Sequence, residues 1–266
     1  MVVDVGPART ADRLLAALRA AGVARVDYVF LSHIHIDHSG GLAPCLEAYP
    51  MARAVCHAKG LRFLVDPEKL WQGSRQVLGR LAEAYGPPAP VPADRLIPHD
   101  CFPAEIAAIV ETPGHAPHHL SYRLDGRLFS GEASGNLFHI QGRQYLRPAT
   151  PHRFFLPEAE ASVDRLLSLP DQPIHVAHFG RAESSHDVLG RFRAQLHRWH
   201  EIVRRTAADA NGVERPELET RCVEALISGD PEMAAFGLMS EAARERERFF
   251  IANSVRGYLG YIEENP

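Results

Sequence analysis

The sequence predicts a layered α/β protein that carries a metal site and ends in a helical tail. Three observations predict it. Strand-like runs alternate with helix-like runs up to about residue 182, which implies packed α/β layers. The runs 26–31, 106–110, 128–130 and 174–177 each stop just before a side chain able to bind metal: His33, His115, Glu132 and His178. From about Ser184 onward, apolar residues recur only at helical spacing.

Taken in order, Val2, Val3 and Val5 read as the end of a strand. Thr10 then suits a helix N-cap, with Leu14, Leu15 and Leu18 on one face and Gly22 as the stop. Residues 26–31 are a strand rich in β-branched and aromatic side chains. A short helix is expected over 41–49 and a buried strand over 54–57. Residues 71–85 have helical spacing through Val77, Leu78, Leu81, Ala82 and Tyr85, ending at Gly86-Pro87-Pro88. Residues 87–92 form a loop, because proline removes donors and fixes φ. Strands follow at 96–97 and 106–110. Residues 120–124, the turn Asp125-Gly126 and 128–130 then read as a hairpin. Residues 133–156 show little periodicity and many aromatic or polar groups, and are expected to line a pocket with Phe138, His139 and Tyr145. A helix over 157–169 has proline near its start, and 173–177 is a last strand. In the tail, Leu189, Phe192, Leu196, Trp199 and Val203, and then Phe249, Phe250, Val255, Leu259 and Ile262, are expected core positions. Breaks are expected near Asn211-Gly212 and Gly229-Asp230-Pro231.

The densest chemistry lies at Ser32-His33-Ile34-His35-Ile36-Asp37-His38-Ser39-Gly40-Gly41. Imidazole nitrogen and carboxylate oxygen are the ligands that borderline metals such as zinc take. In an extended segment His33, His35 and Asp37 would share a face, and a turn at Asp37-His38 would swing His38 to a neighbouring position. Gly40-Gly41 allows a sharp turn into a helix.

With 266 residues the chain can bury a substantial core. Hydrophobic residues at 45% and charged residues at 23% are ordinary for a soluble globular protein. A net charge of -4 gives no general attraction to nucleic acid or to an anionic membrane, and neither is an expected partner. Cys45, Cys56, Cys101 and Cys222 show no CxxC spacing and are expected to be buried, reduced thiols of a cytoplasmic protein. No apolar run approaches a membrane span, and no secretory signal opens the chain.

Asp4-Val5-Gly6, the His33–His38 cluster with Gly40-Gly41, Thr112-Pro113-Gly114-His115, Gly131-Glu132 and His178-Phe179-Gly180 occur in the order of a known family's motifs. Over roughly 1–182 the chain resembles the metallo-β-lactamase fold superfamily. That resemblance implies an αββα four-layer sandwich over 1–182, with 183–266 as a helical C-terminal extension and candidate homodimer surface. The family has an N-terminal β-hairpin before the Asp-x-Gly strand. This chain starts within that strand, so the hairpin is expected to be lacking. By position, His33, His35 and His115 would hold one metal, and Asp37, His38 and His178 a second. The bridging position falls on Glu132, where the family usually has aspartate. Asp4 and Thr112 would orient the imidazoles from behind, and His118 and His119 would take a structural or substrate-facing role, with His119 a candidate substrate contact.

The implied chemistry is metal-assisted hydrolysis, with two zinc ions expected and iron or manganese as alternatives. Hydroxide held between the ions would be the nucleophile, oriented by the catalytic Asp37. The glyoxalase II-like and lactonase-like branches point to a small ester, thioester or lactone. Two rivals stay open. One is an iron-dependent redox enzyme of the same fold, such as a persulfide dioxygenase. The other is a metal-binding interaction protein without turnover.

Overall fold

The computed structural model describes residues 1–178, 180–210 and 212–265. Phe179 of the last motif and Asn211 of the expected helix break lie outside the described residues. Two units emerge, Met1–Glu111 with His118–Leu124, and Thr112–Pro117 with Asp125–Pro266.

The first unit contains, in order, β1 (Val2–Val3), α1 (Ala11–Ala20), β2 (Tyr28–Phe30), α2 (Ile36–Ser39), α3 (Leu42–Ala48), β3 (Arg53–Cys56), α4 (Leu61–Val65), α5 (Glu68–Leu78), α6 (Arg80–Tyr85), β4 (Leu96–Pro98), β5 (Ala108–Glu111) and β6 (Leu120–Leu124). Strands β1 to β4 form a parallel sheet in sequence order, with Val3 opposite Phe30, Phe30 opposite Val55 and Val55 opposite Ile97. Val29, Phe30, Ala54 and Val55 have no exposed surface, as expected for parallel strands covered on both faces. One face packs on Leu42, Leu46, Leu64 and Val91, while the rings of Phe30, Phe102 and Tyr122 cluster together. Because the four strands run the same way, Asp4, His33, His57 and His99 all emerge near one edge, at the carboxyl ends of β1 to β4.

Two local expectations need correction here. Residues 33–38 are not extended throughout: Ile36–Ser39 form one helical turn, so Asp37 leaves the alternation and joins the turn that carries His38. The helix expected over 71–85 is two helices, α5 and α6, broken at Gly79. Its φ of 53° and ψ of -122° suit glycine and little else, so apolar spacing runs on where the backbone does not.

The second unit contains β7 (Arg127–Gly131), β8 (Asn136–Ile140), β9 (Arg143–Arg147), α7 (Leu156–Leu167), β10 (Ile174–Val176), β11 (Gly180–Ala182), α8 (Ser185–Ala208), α9 (Arg215–Gly229), a 3-10 stretch (Pro231–Leu238) and α10 (Glu241–Glu264). Strand β10 lies parallel to β7 and antiparallel to β11. The antiparallel pair β8–β9 stands where an irregular loop was expected. Its turn uses Gln141 at φ 47° and Gly142 at φ 80°, a two-residue hairpin connection. Glutamine is a rare first residue for such a turn, which hid the signal.

The tail is helical as its spacing implies. Leu189, Phe192, Leu196, Trp199 and Val203 are buried, and Ser184 caps α8 by accepting from the Asp187 N–H. The buried Asp230 carboxylate accepts from Gln195 Nε2, Arg198 Nη1 and Trp199 Nε1, tying α8 to the 3-10 stretch. Phe249, expected in the core, is exposed. Cys45, Cys56 and Cys222 are buried free thiols, whereas Cys101 is exposed, contrary to expectation. Among the described residues no helix is long and apolar enough to cross a membrane.

Candidate metal centre

In the first unit the ligand-bearing loop is organised by Asp4, a residue at φ 54° in the left-handed region that aspartate tolerates. Its Oδ1 accepts from the Ser32 N–H at 2.7 Å and its Oδ2 from Ser32 Oγ at 2.7 Å. The same Oδ2 lies 2.8 Å from His38 Nδ1. A carboxylate only accepts, so His38 carries its proton on Nδ1 and keeps its lone pair on Nε2. Ser32 Oγ gives its one hydrogen to Asp4, so its 3.0 Å contact with His33 Nδ1 places a proton on that nitrogen too. His33 Nε2 then faces His35 Nδ1 at 2.9 Å, and His38 Nε2 faces Asp37 Oδ2 at 3.8 Å. One aspartate thus sets the tautomer of two imidazoles and turns their lone pairs toward further ligand atoms, as outer partners of metal-bound histidine do.

The second unit repeats this logic. Parallel β7 and β10 deliver Glu132 and His178 at the same end. His115 Nδ1 lies 2.6 Å from the Ala149 carbonyl oxygen, which can only accept, so the His115 lone pair sits on Nε2. That lone pair faces Glu132 Oε2 at 2.9 Å, while Glu132 Oε1 lies 3.5 Å from His178 Nε2. Two acceptors at this distance repel unless positive charge lies between them, and imidazole with carboxylate is a donor set that borderline divalent metals take. The residues fit a cation. The two oxygens of the one Glu132 carboxylate thus each face a different imidazole. Gly114, at φ 141°, allows the loop bearing His115 to approach α7, where a Cβ would meet Ala159 Cα at 3.0 Å.

A third group in the first unit, His57, His99 and Glu111, has suitable residue types and spacing but the opposite proton placement. His57 Nδ1 accepts from the Lys59 N–H and His99 Nδ1 from the Ala58 N–H. Each ring must therefore hold its proton on Nε2, and both Nε2 atoms face Glu111, at 3.7 and 3.0 Å. Glu111 accepts from His99 Nε2 and has the His57 N–H close by, and neither ring turns a lone pair toward the carboxylate. The hydrogen bond from His99 holds the Glu111 carboxyl below its usual range, and burial, then the neighbouring His99, pushes His57 below 6.5. Both shifts mean that the folded chain binds fewer protons than the unfolded one. The Glu111 contribution is present above the ordinary carboxylate range and is lost as pH falls through its lowered folded value. His57 adds a loss as pH falls below about 6.5. His57→Gln is expected to flatten the fall in melting temperature between about pH 7 and 5 and to leave metal stoichiometry unchanged. Fewer ions per chain in that variant would contradict this proton placement.

The remaining expected site residues are placed as follows. His119 is fully buried with its ring 5.2 Å from that of His33. His118 stacks near His33 and meets His35 edge-on. Tyr145 is fully buried with its ring 6.2 Å from that of Phe138. His139 points outward from β8 and is exposed, and Thr112 is buried. Ser32 was not foreseen. Its signal, a hydroxyl directly before a histidine-rich loop, is too common to single out.

A family profile described as "Metallo-beta-lactamase superfamily" matches residues 1–180. A metallo-beta-lactamase fold-containing protein of Sulfurisphaera tokodaii is 28% identical over 165 residues, 59% of this chain and 61% of its own length. Hydroxyacylglutathione hydrolases of Cupriavidus taiwanensis and Alkalilimnicola ehrlichii are each 28% identical, covering 66% and 64% of this chain and 58% and 52% of theirs. The chain thus spans less than two thirds of the length of these curated relatives. The crystal structure of an archaeal metallo-beta-lactamase superfamily protein from Sulfolobus tokodaii superposes with a TM-score of 0.68 at 22% identity, over 97% of this chain and 87% of that one. A metallo-beta-lactamase family protein from Thermus thermophilus gives 0.65 at 21% identity, over 98% and 84%. At such identities these two show likeness of fold, helical tail included. The chain belongs to the metallo-beta-lactamase superfamily and has its mixed α/β fold, with a C-terminal helical part.

Proposed function

We propose that the chain is a metal-dependent hydrolase of a small ester, thioester or lactone. In this reading His33, His35 and His115 hold one divalent ion, Asp37, His38 and His178 a second, and Glu132 is shared, with zinc as the first candidate metal. The observation that carries the reading is proton placement. His33, His38 and His115 each spend Nδ1–H on an oxygen and carry the lone pair on Nε2, and the His115 lone pair opposes a carboxylate oxygen at 2.9 Å. When bound, divalent ions would supply an activated water and polarisation of the scissile carbonyl. The protein's own groups do the rest. Asp4 and Ser32 keep two imidazoles in the binding tautomer. Asp37, whose Oδ2 lies 3.8 Å from His38 Nε2, would orient that water. Relatives named hydroxyacylglutathione hydrolase support an acyl thioester of glutathione as the first substrate to assay.

The test pairs metal quantification on the purified chain with a panel of esters, glutathione thioesters, lactones and phosphodiesters. About two ions per chain are expected, together with turnover on an acyl substrate. Full metal loading without hydrolysis anywhere on the panel would overturn the proposal. So would iron loading with oxygen consumption on a thiol.

A further inference from the structure

We propose that Asn136 is the positioning residue that makes Glu132 serviceable as a ligand shared by the His115 and His178 sides of the centre. This rests on the reading of Glu132 given above. Three observations in the second unit support it.

First, the chain is folded back to make the contact. The Gly135 N–H donates to the Glu132 carbonyl at 3.1 Å, closing a tight turn just after the ligand. Gly135 has a φ of 72°, and a Cβ there would meet the Arg147 carbonyl oxygen at 2.5 Å and the Phe192 ring at 2.7 Å. The turn is built for glycine, and it brings Asn136 against the Glu132 side chain.

Second, the amide can face only one way. Asn136 Nδ2 donates to Glu132 Oε1 at 3.2 Å, and a flipped amide would set its own oxygen against the carboxylate. With Oε1 held, Oε2 stays toward His115 Nε2 at 2.9 Å while Oε1 remains 3.5 Å from His178 Nε2. A glutamate has one more rotatable bond than an aspartate, so it needs an added restraint to hold one carboxylate plane. The amide supplies that restraint. Asn136 is in turn fixed, since it pairs with Arg147 across β8–β9 and Arg147 is held by Glu247.

Third, Asn136 Oδ1 is buried with no donor among the described residues. An acceptor left so is a cost to folding. An asparagine kept only for packing has no reason to bear it.

The experiment measures zinc affinity of the full chain by competition with a chelator, and repeats it with cobalt, whose visible spectrum reports ligand geometry. Four proteins are compared: wild type, Asn136→Ala, Glu132→Gln and the double variant. Asn136→Ala is expected to weaken binding of at least one ion about 10–100-fold and to alter the cobalt spectrum. In the Glu132→Gln background it is expected to cause no further loss, because Asn136 acts through that carboxylate. Equal losses in both backgrounds would overturn the proposal, marking a role in the fold alone. So would wild-type affinity in Asn136→Ala while Glu132→Gln binds weakly. If Glu132→Gln itself binds both ions as tightly as wild type, the shared-ligand reading fails first. Circular dichroism melting of each variant confirms that affinity is read on folded protein.

Discussion

His115→Ala is expected to lose one bound ion and at least about a thousandfold in turnover, the equivalent of several kcal/mol of transition-state stabilisation. The reason is specific to this imidazole. The proton of His115 is placed on Nδ1 by a backbone oxygen, so its Nε2 lone pair is committed to ligation whether or not an ion is bound. Removing it leaves Glu132 Oε2 buried without the group it faces at 2.9 Å. The loss is then one of ligation and not of folding, because the ring is not a core side chain. Ions per chain, and kcat/KM on whichever substrate the panel identifies, check this. Wild-type metal loading in the variant would remove His115 from the centre.

The largest effect on stability is expected from Glu247→Ala. Arg147 and Glu247 form an ion pair with 4% and 2% of their side chains exposed, joined at 2.5 Å. Burial alone would drive the Arg147 guanidinium toward neutrality, and the Glu247 carboxylate more than offsets this. Truncating Glu247 strands that charge, leaving it the Pro148 carbonyl and the face of Phe250. The expected cost is about 3–5 kcal/mol, a fall in melting temperature on the order of 10 °C. Replacing both partners with apolar residues of similar volume, Arg147→Met with Glu247→Leu, is expected to restore most of it. Calorimetry decides. A single variant melting within about 2 °C of wild type would show that the pair is solvated in practice.

Much of this protein was legible from spacing. A period of two or of 3.6 residues follows from local backbone geometry, so strands such as β2 and β3 and the apolar face of α8 declare themselves. The candidate ligands were legible as well, because histidine and carboxylate at the ends of strands are uncommon and their order matches a family. Failures came where a local signal was overruled or lacking. Gly79 breaks a helix whose apolar spacing continues through it. The β8–β9 hairpin was masked by an atypical turn, and with it went the placement of Tyr145, which its strand carries into the core.

By itself the sequence determined which residues can bind metal, which strand-like runs lead to them, and the family whose fold arranges them. Folding alone decided which nitrogen of each ring carries the lone pair. His38 takes its tautomer from Asp4, and His115 from Ala149, each 34 positions away along the chain. His99 takes the opposite one from the Ala58 N–H, 41 positions away. An imidazole's proton follows whatever donor or acceptor the tertiary structure sets beside Nδ1, and residue type carries no record of that neighbour.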